Sequence, residues 1–217
     1  MPGSETPPVV LGSQSKQRRE LIGSLLGNRP WSVVAPRDAT EAEFADGLTL
    51  PEIDEQLLCI ARQKHADVSS QIVDWLPTPL VLTADTIIVA LPAGRPAVVL
   101  GKPPEEESQC DSTVRRWFSE YYAGRRHLAK TGLCIGPAGQ PPVETVVTTE
   151  VWFRADAGEL VDWYLGTGEP RGKAGGYAIQ QLGSLFVERL SGSLSNVVGL
   201  PLMETLTLIQ SAAGNST

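Results

Sequence analysis

Short apolar runs of β-type residues alternate along this chain with stretches of helical period, and that alternation limits the fold more than any single residue does. PVVLGS (8–13), WSVVAP (31–36), PLVLTADTIIVALPAG (79–94) and AVVLGKP (97–103) read as strands. The last two form a hairpin across LPAGRP. RRHLAKTGLCIG (125–136) and VETVVTTEVWFR (143–154) read as long strands joined by PAGQPP, and LFVERLSG (185–192) as another. Between them lie helical stretches. One starts after Ser15 as N-cap and stops at Gly27, and a long one runs from Pro51 to Leu76. A third spans 105–124, with Val114, Trp117, Phe118, Tyr121 and Tyr122 at helical spacing. Two more cover 156–166, capped by Asp156, and 199–212. The alternation predicts an α/β fold with a mixed, twisted sheet, flanking helices and a central cleft. Residues 1–7 are expected to be a disordered leader before a single domain over 8–212.

With 217 residues, 41% of them apolar and 20% charged, the chain can bury a real core. Its net charge of −7 argues against broad nucleic-acid binding, which needs a basic stripe. Cys59, Cys110 and Cys134 are widely spaced and form no CxxC. With only two histidines, any metal is expected to be a hard cation on carboxylate oxygens. The first residues lack the regions of a signal peptide, and no apolar run is long enough to span a bilayer. A cytoplasmic, non-membrane protein is the expectation.

The strand around TADTII carries a carboxylate, Asp85, among apolar neighbours. Such a group loses hydration worth several kcal/mol (roughly, per ion) unless a partner compensates it. Lys64 interrupts the apolar stripe of Leu57, Ile60 and Ala61. Two readings stay open for it: a side chain snorkelling at the edge of the core, or an ammonium aimed into a cleft. LGKP is not a phosphate loop of the GxxxxGK[ST] type, because Pro103 stands where Ser or Thr would bind magnesium. Lys102 remains a candidate point charge for phosphate or an ordinary surface lysine. GSQSKQRRE places hydroxyls and cations at a strand-to-helix junction, where anions bind readily, or where an ordinary cap would sit. GKAGGYAIQQLG offers close backbone approach to a ligand. Together these pieces suit a polyphosphate with a divalent cation.

In their order, these pieces resemble the Maf family, nucleoside triphosphate pyrophosphatases once described as septum-formation inhibitors. LGSQSKQRRELI is similar to the family's LASxSPRRxELL, TADTII to GADTxV, and LGKP to LGKP itself. IARQKHADV is similar to its KA-containing helix. FRADAGELVDWYLGTGEPRGKAGGYAIQQLG resembles F…Y…GEPxDKAGAYGIQGxG, and SNVVGLPL its closing NxVGLPL. The resemblance runs from about residue 9 to 209. It implies an ITPase-like (Maf/Ham1-like) architecture and hydrolysis of a nucleoside triphosphate to monophosphate and pyrophosphate, clearing unwanted nucleotides. By this resemblance Asp85 is the catalytic carboxylate, and Lys64 and Lys102 contact phosphates. Ser13 and Arg18 are contacts of the first loop, and Glu41 is a second acidic residue that holds the metal with Asp85. Thr86 and Gln180 lie beside the substrate. Mg²⁺ or Mn²⁺ is the implied cofactor, with Co²⁺ a further candidate, and the implied assembly is a homodimer.

Two positions depart from the pattern. Lys16 stands where the family usually has Pro. Gln17 stands where the branch acting on dTTP and UTP has an Arg. The branch acting on 7-methyl-GTP has Trp at that position, SDQ for ADT and SEG for IQG. With ADT and IQQ this chain is closer to the dTTP/UTP branch, and Gln17 implies a broader choice of base. The alternatives are a nucleotide-binding regulator of division with weak hydrolysis, or the same pyrophosphatase acting on modified nucleotides.

Overall fold

The structure, a computed structural model, describes residues 7–37 and 44–214. Residues 1–6 of the expected leader, and Glu41, lie outside the described residues. Seven strands form one mixed sheet: β1 (Val9–Gly12), β2 (Trp31–Val33), β3 (Leu80–Ala90), β4 (Val98–Leu100), β5 (Arg126–Pro137), β6 (Val143–Phe153) and β7 (Val187–Ser191). The order is β2-β1-β3-β5-β6-β7, and β4 pairs with β3. β1 is parallel to β2 and β3, while the other pairs are antiparallel.

β3 and β5 are the central pair, matched from Leu80↔Pro137 to Ala90↔His127. Both of their faces are covered, which is why these strands read as near-continuous apolar runs. α2 (Leu50–Gln71) covers one face, burying Ile53, Leu57, Ile60, Ala61 and Val68. It starts in a capping box: Thr49 accepts from Glu52 N, and Thr49 N donates to Glu52 Oε2 (2.8 Å). It sits close to the sheet because β5 has a glycine there. A Cβ on Gly132 would lie 2.9 Å from Leu57 O. The opposite face is covered at one end by α1 (Lys16–Leu26) and α6 (Leu202–Gly214). Here Ile22 and Ile209 pack with Leu82, Ala84 and Leu133. At the other end α3 (Glu107–Trp117), α4 (Val161–Gly166) and the glycine-rich loop bury an aromatic cluster of Phe118, Tyr122, Phe153, Tyr164, Tyr177 and Phe186.

The structure differs from the sequence expectations at several boundaries. β2 ends at Val33, three residues early. α2 ends at Gln71 rather than Leu76, and Val73 and Leu76 beyond it are exposed. The helix over 105–124 is α-helical only to Trp117, then becomes a π-turn over Phe118–Tyr122. The π-turn turns Phe118 and Tyr122 into the aromatic cluster, edge to face with ring centroids 5.4 Å apart. The last helix begins at Leu202, and a separate short helix, α5 (Leu194–Val198), precedes it.

Candidate active site

The site exists because one edge of β3 is only partly paired. On that edge β1 pairs as far as Gly12↔Thr83, and β4 begins at Ile88↔Leu100. Residues 84–87 therefore have β5 on one side and, among the described residues, no strand on the other. A cavity of about 420 Å³ opens at this gap, within the size range of small-molecule sites. The chain reaches it from four directions. β1 exits through Gly12 and Ser13 into the cap of α1, β4 exits through Gly101 and Lys102, α2 presents Lys64, and the glycine-rich loop presents Lys173 to Gln180.

Adjacent residues of β3 point to opposite faces, so Asp85 and Thr86 belong to different environments. Asp85 faces α2, where its Oδ1 takes an ion-pair hydrogen bond from Lys64 Nζ. The two side chains are 22% and 24% exposed, so the pair lies in the cavity wall and not in the core. This decides the question about Lys64: its ammonium enters the cleft. It also explains how Asp85 is accommodated in an apolar strand. Thr83, two residues earlier on the same face, fastens the strand to α2 by donating to Ala61 O (2.8 Å).

Thr86 faces the other way, into a frame of hydrogen bonds whose acceptors are all neutral. Arg18 donates from Nη2 to Thr86 Oγ1 (3.0 Å), from Nε to Gly199 O (2.8 Å) and from Nη1 to Ser13 Oγ (3.4 Å). Thr86 Oγ1 and Thr131 Oγ1 are 2.9 Å apart, and Thr131 reaches Asn196 O at 3.5 Å. Asn196 is fully buried. Its Nδ2 lies within bonding distance of Ala129 O (3.0 Å), Thr149 Oγ1 (3.0 Å) and Val147 O (3.2 Å). The frame thus ties α1, β3, β5, β6 and α5 together behind the cavity.

The first loop is equally ordered. Ser15 caps α1 by accepting from Arg18 N (3.3 Å), and its hydroxyl donates to Gln17 Oε1 (3.2 Å). That bond uses one of the two acceptor sites of Gln17 Oε1 and orients its amide, which keeps both donor and acceptor character. The glycine-rich loop is docked by Gly175 N donating to Gly101 O (2.9 Å) and Tyr122 Oη donating to Gly175 O (2.7 Å). Gly175 has φ +68, and a Cβ there would meet Tyr122 Oη at 2.6 Å. Glu169 holds the far end, accepting from Leu182 N and Gly183 N (both 2.9 Å).

Ser13, Gln17, Arg18, Lys64, Asp85, Thr86, Lys102 and Gln180 all line this one cavity. Glu41 falls outside the described residues. Sequence reading missed the supporting set, Thr131, Asn196 and Glu169. The signals for Asn196 and Glu169 were polar residues inside the motifs SNVVGLPL and GEP.

The Maf-like protein family model matches residues 8–212. The chain belongs to the Maf-like family. Relatives of this Maf-like protein include one from Anaeromyxobacter dehalogenans (strain 2CP-C), named dTTP/UTP pyrophosphatase. It is 40% identical over 95% of this chain and 94% of its own. Proteins of the same name from Pyrococcus furiosus and Deinococcus radiodurans are each 33% identical. The first alignment covers 93% of this chain and 94% of the relative, the second 98% and 96%. Among solved structures, a nucleoside-triphosphatase / dITP/XTP pyrophosphatase from Mycobacterium abscessus superposes with a TM-score of 0.37 at 10% identity. It covers 68% of this chain and 74% of that one. A HAM1 protein from Coxiella burnetii gives 0.40 at 10%, over 69% and 74%.

Proposed function

We propose that this Maf-like protein hydrolyses nucleoside triphosphates to nucleoside monophosphate and pyrophosphate, with dTTP and UTP as leading substrates. The observation that carries the reading is the meeting of Asp85 with Lys64, Arg18 and Lys102 at the open edge of β3. The names of its relatives support the same reaction.

In this reading the carboxylate of Asp85 takes a proton from the attacking water. The water oxygen bonds to the α-phosphorus, and the bond from the α-phosphorus to the bridging oxygen of the β-phosphate breaks. Pyrophosphate then leaves. Charge builds on non-bridging and leaving oxygens, where fixed cations contribute most. Lys64 and Lys102 supply that charge. Arg18, held by three acceptors, cannot swing away, so its position costs no reorganisation during the reaction.

The donor set fits a hard divalent cation carried by the substrate. Mg²⁺ characteristically takes one or two carboxylates plus phosphate oxygens and waters, not an all-protein cage. Among the described residues no cluster of three metal-ligating side chains occurs, and Asp85 offers one carboxylate. Mg²⁺, Mn²⁺ or Co²⁺ bound there, with Glu41 as a further ligand, would neutralise phosphate charge and polarise the phosphoryl group. A homodimer and a cytoplasmic location belong to the same proposal and rest on the family resemblance. No helix among the described residues is long and apolar enough to cross a membrane.

The test is a panel of unmodified and modified nucleoside triphosphates, each assayed with Mg²⁺, Mn²⁺ and Co²⁺ for released pyrophosphate. Turnover of dTTP and UTP above the others is expected. Release of orthophosphate instead of pyrophosphate would overturn the reaction assigned.

A further inference from the structure

Among the described residues, the charged side chains lining the cavity are four cations, Arg18, Lys64, Lys102 and Lys173, and one anion, Asp85. In a chain of net charge −7 this is a local reversal of sign, and such a cleft concentrates anions. Three of the cations already have a place in the proposed reaction. Lys173 has none. It lies in GKAGG, where the glycines draw attention and the lysine does not.

Its position follows from the loop that carries it. The bond from Gly175 N to Gly101 O joins the glycine-rich loop to the segment leaving β4, so Lys173 and Lys102 sit on neighbouring backbone strips. Gly175 packs against Ile88, on the face of β3 that also carries Thr86. Lys64 reaches the gap from the opposite face, beside Asp85. Lys102 arrives along the sheet edge itself, because its strand leaves pairing at Leu100. A polyanion in the gap is therefore met from both faces of the sheet and from its edge. Lys173 is half-buried in the cavity wall, and among the described residues it makes no side-chain hydrogen bond or ion pair. Lys64, by contrast, is already paired with Asp85, so part of its charge is offset before any substrate arrives.

We propose that Lys173 is a further substrate-binding residue that works with Lys102 to hold the β- and γ-phosphates, the part that leaves as pyrophosphate. The proposal rests on the pyrophosphatase reading for its substrate, but its central claim is a diphosphate subsite between Gly101–Lys102 and Gly172–Lys173. Binding there would place the terminal phosphates on the glycine-loop side and leave the α-phosphate beside Asp85.

The test compares the unmodified protein with Lys173→Met and Lys173→Arg. Inorganic pyrophosphate binding is measured by calorimetry, and KM and kcat are measured with UTP. UMP serves as a ligand lacking the terminal phosphates. Lys173→Met is expected to weaken pyrophosphate and raise the KM for UTP by about tenfold, the usual size of one charge-assisted contact. Its UMP affinity and melting temperature should be unchanged, and Lys173→Arg should recover most of the loss. Equal pyrophosphate affinity in Lys173→Met and the unmodified protein overturns the proposal, as does weakening of UMP and pyrophosphate alike. No pyrophosphate binding by the unmodified protein overturns it too. If pyrophosphate binds in a Lys173-dependent way but no triphosphate is hydrolysed, the subsite stands and the enzymatic reading falls. Hydrolysis unaffected by Lys173→Met gives the reverse.

Discussion

The two faces of β3 at residues 85 and 86 are built on different physics. On the α2 side, charges meet: Lys64 with Asp85 in the cavity wall, and nearby Lys130 Nζ with Asp54 Oδ1 (2.9 Å) and Thr148 Oγ1 (2.8 Å). On the other side Arg18, Thr86, Thr131 and Asn196 are joined through neutral acceptors. An ion pair in a partly exposed cavity wall can open when an anion competes for its ammonium. A buried amide with several partners cannot, because each abandoned partner costs about 1–3 kcal/mol. One face is thus suited to chemistry and the other to holding geometry. Substitutions on the two faces should fail in different ways.

The largest effect is expected at the reactive face. Asp85→Asn should lower kcat by about 10²–10⁴-fold, the usual contribution of a general base, with little change in melting temperature. A folded variant with near-normal turnover would remove Asp85 from the reaction. On the framing face Asn196→Leu should instead cost about 2–4 kcal/mol of stability, since Ala129 O, Val147 O and Thr149 lose a shared donor. For a chain of this size that is a fall of roughly 5–15 °C in Tm. A Tm unchanged within a degree or two would show that the frame is not structural.

The framing face also carries His127, fully buried and 2.8 Å from Tyr177 Oη. Burial pushes its imidazole down from 6.5 to about 3. The unfolded chain binds that proton more readily, so the stability linked to His127 is complete above pH 6.5. It is lost as the pH falls from 6.5 toward 3, at about 1.4 kcal/mol per unit. Urea midpoints measured across this window should fall more steeply for the unmodified protein than for His127→Gln. Equal slopes would mean that the imidazole is already charged in the fold. The smallest effect belongs to the cap of α1. Gln17→Arg should shift the ratio of kcat/KM values among bases by about two- to tenfold toward dTTP and UTP, a change of one hydrogen-bonding group. An unchanged ratio would place Gln17 away from the base.

The reactive face was largely legible in the sequence, and the framing face was not. A carboxylate in a β-run, and a lysine in a helical apolar stripe, each break a local pattern and stand out. Asn196 breaks none. It precedes an ordinary Val-Val-Gly-Leu run, and its meaning comes from two carbonyls and a hydroxyl on β5 and β6, which are 47 to 67 residues distant in sequence. The π-turn after Trp117 was hidden for a related reason. Phe118, Tyr121 and Tyr122 keep a helical period, and only packing against the aromatics of β6 and the 182–186 turn changes the winding there. Lys173 was overlooked because its neighbours are glycines.

Residues 84 to 87 of β3, which have no strand partner on one side among the described residues, have one further consequence. A bare strand edge invites another chain to add itself and seed aggregation. Here the bare stretch is recessed between two paired ends, and Lys64 and Lys102 flank it. A strand needs a longer straight border and would bring its own backbone against those cations. A flexible polyanion needs neither. The same interruption that makes the cleft therefore suits a short, flexible polyanion better than an added strand.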